Sequence, residues 1–169
     1  MKHYVSIQNS VLFQVSLLDT EIPDGNWTEI TKDIFDIIVN SDGTLTGIGK
    51  VCSASIDVEA GNARSKYITT SPGQAEVYIS KAIYAKEIVT ANYQIDIAKY
   101  PLITSEMTRL KADLINTCKI ILATEAFWQT IAAKVEDIRL GFKTRVGSYS
   151  SISLLISDYI NSIYQLRMI

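Results

Sequence analysis

The side chains of this 169-residue chain best suited to chemistry are few: one histidine, His3, two cysteines, Cys52 and Cys118, and the carboxylates Glu125, Glu136 and Asp137. A nucleophile needs a base beside it. His3 stands at the chain's start, where termini fray, and reads as an exposed strand-end residue. Structural zinc takes four N or S ligands, usually in close pairs, and two cysteines 66 positions apart do not supply them. Two buried free thiols are the preferred reading, with a single disulfide as the alternative. Glu136 and Asp137 point about 100° apart on a helix and cannot face one substrate as acid and base, so with Glu125 they read as a solvated face. Gly43, Gly47 and Gly49 lack the Gly-Lys-Ser/Thr of a phosphate cradle. Lys134, Arg139, Lys143 and Arg145 lie where a long helix should end, and cations there complement the helix dipole. These residues predict no catalytic, cofactor-binding or metal site.

Composition narrows the classes further. Hydrophobic residues make up 47% and charged residues 20%, which suits a chain with a buried core. Sixteen basic residues against eighteen acidic ones leave a net charge of −2. Nucleic-acid binding needs a basic stripe to displace counterions, so no nucleic-acid partner is expected. Gln14 and Ser16 interrupt the apolar stretch 11–18, and no small-residue cleavage site follows it, unlike a signal peptide. Asp158, Asn161, Gln165 and Arg167 break the apolar last 18 residues, so no membrane partner is expected. The reading is a soluble protein, intracellular when made.

The elements that must position these residues divide the chain in two. Residues 1–66 hold five basic and nine acidic residues, whereas 67–169 hold eleven and nine. That asymmetry could favour head-to-tail contacts between copies. The first half reads as short strands at 4–8, 11–17 and 27–30, with a turn at Ile22-Pro23-Asp24-Gly25. Thr31 can cap a brief helix to Ile38 that carries Ile34, Ile37 and Ile38 on one side. Asn40-Ser41-Asp42-Gly43 should reverse the chain into further strands at 44–48 and 51–58, with Gly47 and Gly49 marking a bulge.

The second half reads as helices. Ser71-Pro72-Gly73-Gln74 is a capping box with proline at the first helical position. Ala75, Tyr78, Ile79, Ala82, Ile83, Ala85 and Val89 then form one apolar face. A break at 92–98 precedes a new start at Tyr100-Pro101. From Leu110 an apolar stripe runs through Leu114, Cys118, Ile121, Leu122, Trp128, Ile131, Ala132, Val135, Ile138 and Phe142. Gly147 should stop it, and Ser150 or Ser151 should cap a last helix. Leu114, Ile121, Trp128, Val135 and Phe142 recur every seven residues, but charged Glu125 and Arg139 occupy two companion positions, which favours packing within one bundle over a coiled coil. With Trp27 and Tyr78 they are the expected packing and interface residues. Trp128→Ala should be among the most damaging changes. The expected fold class is α+β: a small antiparallel β-rich N-terminal half, residues 1–66, as an attachment domain, then an α-helical bundle or long helical hairpin, residues 67–169.

Ile22-Pro23-Asp24-Gly25-Asn26-Trp27-Thr28-Glu29-Ile30-Thr31 resembles a stretch found in small proteins of tailed-phage and prophage tail-fibre modules. The second half is similar to a helical domain of the same modules, at Thr70-Ser71-Pro72-Gly73-Gln74 with Tyr78 and Lys81, at Tyr100-Pro101-Leu102, and at Trp128 with Ile131, Glu136, Ile138 and Arg139. The resemblance implies a non-enzymatic phage tail structural protein, made in the host cytoplasm and carried in the virion. Its partners would be fibre or baseplate proteins, and it could form a homo-oligomer. The alternatives are a tail-fibre assembly chaperone absent from the mature particle, and a small phage-encoded enzyme or host inhibitor.

Overall fold

The computed structural model describes residues 2–8, 11–18, 27–67 and 73–169. Among them, β1 (Lys2–Gln8), β2 (Val11–Leu18) and β3 (Trp27–Ile30) precede α1 (Lys32–Val39), α2 (Leu45–Ser65), α3 (Gln74–Thr90), α4 (Pro101–Leu110), α5 (Leu114–Arg145) and α6 (Ile152–Arg167). Helix predominates, which corrects the α+β expectation. At 32 residues, α5 alone is longer than the three strands of seven, eight and four residues together.

The expected strands at 44–48 and 51–58 both fall within α2. Ile48, Cys52, Ile56, Ala60 and Ala63 are buried at spacings of four, four, four and three, and helical period overrides the local strand propensity. The start of α2 is well capped. Asp42 Oδ1 accepts from the Thr44 amide, Thr44 Oγ1 accepts from the Gly47 amide, and the Ile48 amide donates to the Thr44 carbonyl, each at 2.9 Å. Gly43 takes φ 75°, so the turn at 40–43 delivers the chain into a helix and makes no hairpin.

Two compact units result, one of residues 1–63 with 135–169 and the other of residues 64–134. The division differs from the contiguous halves 1–66 and 67–169, because the last 35 residues group with the N-terminal segment. Side chains on α2 explain that grouping. Asp57 binds Arg139 and Lys143 at 2.9 and 2.6 Å, and Ser55 meets the Tyr159 hydroxyl at 2.9 Å.

In the first unit the sheet order is β2-β1-β3, antiparallel throughout. The middle strand buries Tyr4, Val5 and Ser6 in succession, so both of its faces are covered. Thr31 caps α1 by accepting from the Ile34 amide, and Ile34, Ile37 and Ile38 are buried, as the spacing predicts. The stripe of α2, Val135 and Phe142 of α5, and Ile152, Leu155, Tyr159, Ile163 and Leu166 of α6 complete the buried apolar set. Ser151 accepts from the Leu154 amide and so caps α6.

In the second unit, residues 82, 85, 88, 103, 118 and 121 form a core against which Tyr84, Tyr100, Met107 and Leu114 pack. Asn92 and Tyr93 take left-handed φ of 49° and 62° and make the expected break after α3. Pro101 opens α4. The stripe beginning at Leu110 is corrected in one respect, since Lys111 turns left-handed at φ 51° and separates α4 from α5. Asp113 then caps α5, its Oδ1 accepting from the Asn116 amide at 2.7 Å. The predicted turn at 22–25 and the Ser71-Pro72 helix start lie outside the described residues.

Candidate functional site

Most of the residues singled out for chemistry serve the fold. His3 lies in β1 with its ring 4.5 Å from that of Phe35. Cys52 and Cys118 are free and buried, one in each unit. Burial pushes the Cys52 thiol up to about 12 and also raises that of Cys118, which leaves both as poor nucleophiles at neutral pH. Glu136 accepts from Arg139, and Arg145 pairs with Asp158 at 2.9 Å. Arg139, Lys143 and Arg145 of the basic patch therefore pair within their own chain while Lys134 is exposed, and Lys143 and Arg139 together hold the Asp57 carboxyl below its usual range. Among the described residues no three His, Cys, Asp or Glu side chains stand together to hold a metal, and no helix is long and apolar enough to cross a membrane.

The expected packing residues separate by burial. Val135 and Phe142 are fully enclosed in the first unit, and Trp27 is half-buried in β3. Leu114 and Ile121 pack in the second unit's core. Tyr78 and Trp128 are half-buried, and they line a groove of about 380 Å³ between α3, α4 and α5.

That groove is the candidate site. One wall is the row Ala75, Ile79 and Ile83 on α3, and the other is Ile120, Thr124 and Trp128 on α5. Each row advances eight positions along its helix, about 12 Å at 1.5 Å per residue. Tyr78 meets Trp128 edge to face with centroids 4.6 Å apart, and further along α3 Lys86 pairs with Glu125 at 2.7 Å. Moving forward along α3 thus means moving backward along α5, so the two walls run in opposite directions. Ile79, Ile83 and Ile120 remain 60%, 48% and 43% exposed, although each sits beside a filled core.

The groove is charged where α4 lines it. Glu106 on α4 is buried and accepts from Lys81 Nζ of α3 at 2.7 Å and from Arg109 Nε at 3.1 Å. The hydrogen bonds from Arg109 and then Lys81 outweigh the cost of burial and hold the Glu106 carboxyl below its usual range. Two cations share one carboxylate there, which leaves that cluster positive. Arg109 is still 65% exposed, so its guanidinium can reach an outside group. The Lys81 ammonium also lies 5.7 Å from the centre of the Tyr78 ring. Apolar walls beside aromatic residues, with a few convergent polar groups, make a recognition surface.

Glu106 was not legible as a site residue, because its partner Lys81 is 25 positions away. Ile79 and Ile83 did carry a signal. Tyr78 and Ile83 point about 140° apart on a helix, so the apolar face predicted for α3 is wider than one core contact fills. No family model matches the sequence, and no characterised protein or solved structure matches it significantly.

Proposed function

We propose that this chain is a non-enzymatic structural component of a bacteriophage tail, associated with the fibre or baseplate and acting through protein–protein contacts. The resemblance of residues 22–145 to proteins of tail-fibre modules supports the phage setting. The observation that carries the contact role is the groove of the 64–134 unit, where Ile79, Ile83 and Ile120 stay in water beside Tyr78 and Trp128. Contiguous exposed apolar rows cost solubility, and chains that work by binding keep them for partners. Tyrosine and tryptophan supply rigid contact area with a polar handle.

Mass spectrometry of purified phage particles tests the reading. The chain should be present at a fixed ratio to the tail proteins. Absence from washed particles overturns the structural role, and absence combined with binding to the fibre protein in infected lysate identifies an assembly chaperone instead.

A further inference from the structure

The α3–α5 groove has a counterpart on the other unit of the same chain. On α6 and its C-cap, Ile160, Tyr164 and the capping residue Met168 are spaced four residues apart and are 50%, 61% and 69% exposed, on the side away from buried Leu155, Tyr159 and Ile163. This stripe advances eight positions, about 12 Å, which is the length of either groove wall. The charges of the two units are also opposed. Residues 64–134 hold nine Lys and Arg against six Asp and Glu, a net of +3, whereas 1–63 with 135–169 hold seven against twelve, a net of −5. The groove lies in the cationic unit, with Lys81 and Arg109 in its lining, and the exposed stripe of residues 160–168 lies in the anionic one.

We infer that the groove receives the exposed α6 stripe of a second copy of this chain, in a head-to-tail contact. Ile160, Tyr164 and Met168 lie between the Ile79–Ile83 row and the Ile120–Trp128 row, as an amphipathic helix lies in a groove. Opposite net charges bring the anionic unit of one copy to the cationic unit of the next and disfavour like-to-like pairing. Such a contact is heterologous. One copy of a pair keeps a free groove and the other a free stripe, so association continues past the dimer unless the rotation closes a ring. This deepens the contact role by naming its partner, and it rests on that reading.

Sedimentation velocity of the full chain, from low to high micromolar, should show mass rising with concentration and falling with added salt. Ile83→Asp in the groove and Tyr164→Asp on α6 change exposed positions, so circular dichroism and melting should stay as in the wild type. Each variant alone should lose all mass above the monomer. An equimolar mixture of the two should regain a species of two chains, since each retains the surface the other lacks. A wild-type chain that stays monomeric throughout, a variant that associates as the wild type does, or a mixture that remains monomeric overturns the inference. A monomer present in purified particles defeats this inference alone, whereas an associating chain absent from particles defeats only the virion role.

Discussion

Tyr78 on α3 and Trp128 on α5 meet edge to face, with centroids 4.6 Å apart and ring planes at 89°. This arrangement sets the positive edge of one ring against the negative face of the other. Lys81 approaches the same tyrosine ring and carries the contact on to Glu106 and Arg109 of α4. Three helices of the 64–134 unit are thereby joined through one chain of aromatic and charged contacts. Trp128 belongs to the same seven-residue row as Phe142, yet it stands half-buried at a groove while Phe142 is fully enclosed.

That difference reverses the ranking suggested by side-chain size. Phe142→Ala should cost about 3–5 kcal/mol, the range for emptying an enclosed aromatic site. Trp128→Ala should cost about 1.5–3 kcal/mol, because part of its surface is already in water. Urea unfolding of the two variants compares them directly. A larger loss from Trp128→Ala than from Phe142→Ala contradicts the burial on which the ranking rests.

Glu106→Gln removes the carboxylate that Lys81 and Arg109 share and should destabilise the chain by about 1–3 kcal/mol at neutral pH. The effect has a definite pH dependence. A carboxyl whose value is lowered by folding contributes stability that is complete above its ordinary value of 4.5 and is lost as pH falls through the lowered, folded value. Melting temperatures of the wild type and Glu106→Gln should therefore differ near neutrality and converge in acid. A gap that persists unchanged into acid shows that the charge is not its source.

Local signals were legible where the chain's neighbours in sequence are also its neighbours in space. Thr31 with Ile34, Ile37 and Ile38 announced α1, and the stripe from Leu114 to Phe142 announced α5, every member of it buried or half-buried. At α2 two signals competed. Gly47 and Gly49 with Val51 and Val58 suggested strands, while Ile48, Cys52 and Ile56 kept a helical period, and burial of the latter set decided the outcome. The groove was less legible because the Lys81–Glu106 pair is tertiary and the exposed Ile79 and Ile83 look in sequence like any other core positions.

The two glycines Gly49 and Gly61 of α2 should respond to alanine with opposite signs. A Cβ at Gly61 meets nothing within 4 Å, so Gly61→Ala should stabilise by about 0.5–1 kcal/mol through helix propensity. A Cβ at Gly49 would lie 2.9 Å from Val146 Cγ2, and valine is stiff at χ1. Gly49→Ala should therefore cost about 1–3 kcal/mol, and adding Val146→Ala should recover part of the loss. Thermal melts of the single and double variants measure both effects. Stabilisation by Gly49→Ala alone is the result that contradicts the close approach.

Cys52 and Cys118 offer a separate reporter for each unit. Burial raises both thiols, so alkylation by iodoacetamide at mildly alkaline pH should be slow in the native chain and proceed through local opening. Cys52 lies in the unit of residues 1–63 and 135–169, and Cys118 in that of residues 64–134. Peptide mass spectrometry can therefore follow the two openings in one sample. Phe142→Ala, at an enclosed position of the first unit, should speed labelling of Cys52 by roughly 10² to several times 10³-fold, one factor of ten for every 1.4 kcal/mol lost, and affect Cys118 much less. Ile103→Ala, in the core beside Cys118, should do the reverse. Equal acceleration of both thiols by either variant means that the two units open as one, and the prediction fails.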